Sequence, residues 1–126
     1  MVQSQKERPV ILIVEDEFLI RMATADAIRD AGFEVVEAAS AEIAIGILES
    51  RSDIRVVFTD IHMPGSMDGA KLAHAIKDRW PPVHLIATSG RVGLGDLDLP
   101  FGTLVLPKPY LPAQVARALR TLTRSS

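Results

Sequence analysis

The stretch Val56-Val57-Phe58-Thr59-Asp60 constrains the fold more than any other in this chain. A run this apolar and this short lacks the polar face of a surface helix, and it reads as a strand buried on both sides. Such a strand needs helices above and below it, which calls for crossover connections and a parallel sheet. Asp60 then stands where a buried strand meets solvent, the edge at which open parallel sheets hold ligands. Met63-Pro64-Gly65 stops the strand, because Pro64 has no N–H to donate and Gly65 accepts positive φ.

The same pattern recurs along the chain. Val10 to Val14 is a second doubly buried strand, ending in Glu15-Asp16-Glu17. Phe18, Leu19, Met22, Ala25, Ile28 and Ala31 recur at helical spacing, and Gly32 supplies a left-handed stop. Phe33 to Ala38 is a short strand. Ser40 caps a helix carrying Ile43, Ile47 and Leu48, with Glu42 in its first turn, and residues 50–55 form a polar connection. Beyond the Pro-Gly turn, Asp68 or Ser66 caps a helix with Leu72, Ala73, Ala75 and Ile76 facing inward, ended by Trp80-Pro81-Pro82. Val83 to Thr88 is a fourth strand, followed by Ser89 and Gly90. Gly93, Gly95, Pro100 and Gly102 make the next segment a poor helix former. Thr103 to Leu106 is a fifth strand, stopped by Pro107-Lys108-Pro109, and Leu111, Val115, Leu119 and Leu122 mark a final amphipathic helix with Pro112 in its first turn. The expected fold is α/β, a doubly wound five-stranded parallel sheet with a short or degenerate fourth helix.

Composition narrows the function classes. At 126 residues the chain is sized for one domain, expected to run over 1–126 with residues 1–8 as a frayed tail and no attached output domain. A net charge of −2 gives no reason to expect nucleic-acid binding. No apolar run reaches the roughly 20 residues of a membrane span. The absence of Cys excludes thiolate chemistry and fits a cytoplasmic setting.

Parallel strands share a direction, so Glu15-Asp16, Asp60, Thr88 and Lys108 all fall on one edge of the sheet. With a strand order of 2-1-3-4-5, the first and third strands are neighbours and bring the three acids together. Carboxylates that close repel one another unless a cation joins them, and an all-oxygen set suits a hard divalent ion, Mg²⁺ above all. Lys108 adds a positive charge and Thr88 a hydroxyl, with Ser89 a neighbouring hydroxyl that a one-residue slip would bring into the same role. The set suits neutralising a phosphoryl group while Asp60 attacks it in line. His74 and His84 have no metal-ligand partner at useful spacing.

From about Arg8 to Leu122 the chain resembles the receiver domain of two-component response regulators, chemotaxis-type phosphoacceptors with a flavodoxin-like fold. The resemblance rests on Glu15-Asp16 after the first strand, Asp60 followed by Met-Pro and Asp-Gly, Thr88, and Lys108-Pro109. It implies that Asp60 accepts a phosphoryl group from a phosphohistidine on a sensor histidine kinase or phosphotransfer protein, and that signalling passes through a surface to a downstream protein. It also implies Mg²⁺ on Glu15 or Asp16, Asp60 and the backbone carbonyl of His62, with Thr88 and Lys108 holding the phosphoryl oxygens. Two departures stand out: the acidic pair is Glu-Asp where many members have Asp-Asp, and Val105 stands where the family often has Tyr or Phe. Without that aromatic switch, the expectation is that Thr88 acts directly on the segment from Gly90 to Gly102. Tyr110 is expected to pack, and the His62 side chain to face solvent over the site.

Other classes fit less well. A phosphatase of the haloacid dehalogenase type needs an early nucleophile with a second acid two residues on, which Asp60-Ile61-His62 does not supply. A dinucleotide binder needs a glycine fingerprint after the first strand, and there is none. A phosphorylation-independent receiver-like adaptor is the remaining alternative, opposed by the complete acid, threonine and lysine set.

Overall fold

The structure is a computed structural model and describes residues 8–63, 65, 67–90 and 98–124. Its strands are β1 (Val10–Val14), β2 (Glu34–Ala38), β3 (Ile54–Asp60), β4 (His84–Ser89) and β5 (Leu104–Pro107). Its described helices are α1 (Phe18–Asp30), α2 (Ala41–Ser50), α3 (Gly69–Arg79) and α4 (Pro112–Arg124). All neighbouring strands pair in parallel, in the order β2-β1-β3-β4-β5, as expected. The expectation for the segment from Gly90 to Gly102 falls largely on residues 91–97, outside the described residues.

Alternation along the strands builds two cores. Leu12, Val14, Val57 and Leu85 face α2 and α3, packing on Ala44, Leu48, Leu72 and Ile76. Ile11, Ile13, Val56, Phe58 and Ile86 face α1 and α4, packing on Ile28, Val115 and Leu119. The register between β1 and β3 shifts once, pairing Val10 with Ile54 but Ile11 with Val56. The extra residue is Arg55, and it puts Ile54 on the same face as Val10. Its guanidinium donates to the Thr123 carbonyl at 3.1 Å, tying the bulge to the end of α4.

Local chemistry explains the helix limits. The Ser40 hydroxyl accepts from the Ile43 N–H, and the Asp68 carboxylate from the Lys71 N–H. Gly32, just past α1, has a φ of 102°. At α4, the Gln114 side-chain oxygen accepts from the Leu111 N–H at 2.6 Å, the reciprocal arm of a capping box.

Three details differ from the sequence reading. The polar connection over 50–55 is shorter, because Ile54 and Arg55 already belong to β3. Ile43 and Leu111, read as helix-face apolar residues, are exposed. Most consequential, Phe18, Leu19 and Met22 do not enter the core: Leu19 is 71% exposed, and α1 buries Thr24, Ala25 and Ile28 instead. The cause is geometric. α1 starts beyond the edge where β1 ends, so its first turns have no strand beneath them.

Candidate functional site

Side-chain alternation gathers the site on one face. Glu15 continues the face of Ile11 and Ile13, Asp60 that of Phe58, Thr88 that of Ile86, and Lys108 that of Leu104 and Leu106. In the register, Asp60 lies directly beside Thr88. Ser89 is one residue on and therefore points to the opposite face, so Thr88 is the hydroxyl level with Asp60.

Each exit from the sheet is tied down. The Ile61 N–H donates to the Thr88 carbonyl, and the Gly69 N–H to the Ile61 carbonyl at 2.9 Å. Ile61 and Met63 are buried on either side of His62, which leaves the imidazole exposed. The Lys108 N–H donates to the Ser89 carbonyl, and the Lys108–Pro109 peptide is cis. Tyr110 packs edge-on against Phe58, with ring centroids 5.7 Å apart, and its hydroxyl lies 3.2 Å from that of Thr24.

Asp60 is 7% exposed, and both of its oxygens have partners. Oδ1 accepts from the His62 N–H at 3.3 Å and Oδ2 from Lys108 Nζ at 3.2 Å. Lys108 Nζ also lies 3.8 Å from Glu15 Oε1. Partial burial works against the lysine charge, but the hydrogen bond and charge of Asp60, with Glu15, outweigh it and raise its pKa. Burial lifts Glu15 from its ordinary 4.5 to about 7, and the Asp60 charge adds to the rise against the Glu17 N–H and Lys108.

Glu15, Asp16 and Asp60 each offer a carboxylate oxygen, all within 4.8 Å of one another, with Asp16 the exposed member. Three carboxylate oxygens gathered this closely could ligate one hard divalent ion. The all-oxygen set therefore suits a hard cation, and burial, with the Asp60 charge adding to it, holds Glu15 above its ordinary value. Chemically, the site offers a fixed carboxylate nucleophile with a cation on one side and an acid pair on the other. The Thr88 hydroxyl lies level with it on β4. His74 lies apart, on α3 beside Asp98; His84 starts β4 at the far edge of the sheet.

One participant escaped sequence reasoning. Arg21 donates to the Glu15 carbonyl at 2.7 Å and to Glu37 on β2 at 3.1 Å. Its signal was a lone cation among the apolar residues that open α1.

Comparison with known proteins follows the same outline. Residues 11–97 match the family model described as the response regulator receiver domain. The chain is 32% identical over 118 residues, 89% of its length, to a sensor kinase CckA of Brucella abortus. It is 39% identical over 84 residues, 65% of its length, to the response regulator protein FleR of Pseudomonas aeruginosa. It spans 12% of the length of the first and 17% of the second. Among solved structures, a response regulator receiver protein from Sinorhizobium medicae superposes with a TM-score of 0.85 at 29% identity, covering 95% of this chain and 98% of that one. A receiver domain protein from Clostridium thermocellum gives 0.85 at 26% identity, covering 92% and 94%. With most of its length matched by that family model and its sheet order and acidic edge agreeing, the chain belongs to the response regulator receiver domain family.

Proposed function

We propose that this receiver takes a phosphoryl group onto Asp60 from a phosphohistidine of a sensor histidine kinase or phosphotransfer protein in the cytoplasm, and signals through a protein–protein surface. The observation that carries this reading is the setting of Asp60, a nearly buried carboxylate 3.2 Å from Lys108 and flanked by an acid pair. An Asp60 oxygen attacks phosphorus, forming an acyl phosphate as the P–N bond breaks. The bonding pair returns to the ring nitrogen, and a proton held on the other ring nitrogen lets the histidine leave as neutral imidazole. Lys108 and the Thr88 hydroxyl hold the oxygens of the transferred group, which carries nearly two negative charges. Mg²⁺, when bound by Glu15, Asp16, Asp60 and the His62 carbonyl, supplies the remaining neutralisation.

The donor reading is supported by the start of α1. Phe18, Leu19, Ile20 and Met22 are exposed directly after the acidic pair. A hollow of about 550 Å³, lined by Ile20, Ala23, Thr24, Lys108 and Tyr110 among others, runs from that helix toward the lysine. Contiguous exposed apolar surface of this kind marks a protein contact. No described helix is long and apolar enough to cross a membrane.

Incubation with acetyl phosphate and Mg²⁺, followed by intact-mass measurement, tests the proposal. One phosphoryl group should appear on the wild type, none on Asp60→Asn, and little in excess chelator. Labelling of Asp60→Asn at the wild-type rate would overturn the assignment. No labelling of the wild type by acetyl phosphate or by a phosphohistidine donor would favour the phosphorylation-independent adaptor.

A further inference from the structure

The loop between β1 and α1 carries two of the three acids, and within it the Glu17 N–H donates to Glu15 Oε2 at 3.1 Å. The ladder to β2 ends with the Glu15 N–H donating to the Ala38 carbonyl. The residue at the N-cap of α1, Glu17, makes no side-chain capping bond. The peptide joining Glu15 to Asp16 determines where both carboxylates point, and its carbonyl is the group Arg21 reaches, at 2.7 Å. The same guanidinium is anchored by Glu37 Oε1 at 3.1 Å and lies over the Phe18 ring, 5.5 Å from its centroid. Arg21 is largely shielded, with a side-chain exposure of 14%, so its bonds are not those of a solvated surface pair. Arg29 also meets Glu37, at 3.4 Å, on the exposed side.

We infer that Arg21 is a positioning residue for cation binding: by clamping the Glu15 carbonyl to Glu37 of β2, it fixes the Glu15–Asp16 peptide in the orientation that lets both acids and Asp60 share one divalent ion. The inference rests on the Mg²⁺ reading of the acidic cluster. Groups that orient ligands in this way set metal affinity, with typical losses of 10- to 100-fold on mutation. Arg21 also brings a positive charge toward the site, which by itself opposes a cation. Deleting the side chain would mix the two effects, so the informative change keeps the charge. Arg21→Lys does so but replaces a planar fork that serves two acceptors with a single point donor.

Mg²⁺ affinity is measured by titration calorimetry on the full chain, with urea unfolding in parallel. Arg21→Lys should raise the Mg²⁺ dissociation constant by about fivefold or more. Arg29→Gln, which loses a Glu37 partner but no contact with the loop, should leave it within about twofold. Lowered stability with unchanged Mg²⁺ affinity would reduce Arg21 to a structural role and overturn the inference. Equal losses in Arg21→Lys and Arg29→Gln would do the same. Failure of the wild type to bind Mg²⁺ would instead overturn the metal reading, and the inference with it.

Discussion

Glu15 ionises in the folded chain at about 7, against 4.5 for an unburied glutamate, chiefly because burial strips its carboxylate of water. Between those two values the folded state holds a proton that the unfolded chain has released. The stabilisation this gives is full below 4.5 and is lost as pH rises through 7. Without metal, Glu15→Gln should match the wild type at pH 4.5 and exceed it at pH 8, by on the order of 1–3 kcal/mol in urea unfolding. A difference that does not change with pH would refute the assignment. A cation must displace the same proton, so Mg²⁺ affinity should strengthen over the same window. At this scale the sequence was readable where a residue ends a strand: Glu15, Asp60, Thr88 and Lys108 could be placed from apolar runs alone. Arg21 could not, because its role depends on β2 lying beside β1 and on a backbone carbonyl that carries no sequence signature.

Among the elements, α3 begins directly against the exit of β3, and Gly69 is the reason it can. A Cβ at Gly69 would collide with the Asp60 carbonyl oxygen and lie 2.7 Å from the Ile61 Cα. Both are backbone atoms at the exit of β3, so neither can swing aside, and the φ of Gly69 is not positive. Close approach alone therefore requires the glycine. Gly69→Ala should cost about 1–3 kcal/mol and slow labelling of Asp60, because relief comes only by shifting the strand end. Gly46, inside α2, is the matched control: a Cβ there would meet nothing within 4 Å. Gly46→Ala should stabilise by roughly 0.5–1 kcal/mol and leave labelling unchanged. Equal effects at the two sites, read from urea midpoints and labelling rates, would remove the close-approach explanation. The Asp-Gly pair was visible in the sequence, and so was the capping role of Asp68. The contact of Gly69 with β3 was not, since nothing local distinguishes it from Gly46.

Across the whole molecule, doubly buried strands implied parallel pairing, whereas the order 2-1-3-4-5 entered as a premise, with the meeting of the acids as its consequence. Periodicity located α1 and its start at Phe18 but misjudged the burial of its first turns, because a 3.6-residue repeat marks an apolar stripe without saying what covers it. Part of that stripe is buried in the core and part is exposed just after the acidic pair. Leu19, 71% exposed, and Met22, 41% exposed, offer the cleanest probes there, since Phe18 also carries the Arg21 guanidinium. Replacing both by Ser should shift folding stability by no more than about 1 kcal/mol, as expected for exposed positions. Acetyl phosphate reaches Asp60 without needing a protein contact, so labelling by it should stay within about twofold of the wild type. Transfer from a phosphorylated histidine phosphotransfer protein that labels the wild type must use a docking surface, and it should slow by about tenfold, the effect of losing one well-buried apolar anchor. Equal rates from the protein donor would place its footing elsewhere on the molecule, whereas equal losses with both donors would mean that the substitutions disturb the site itself.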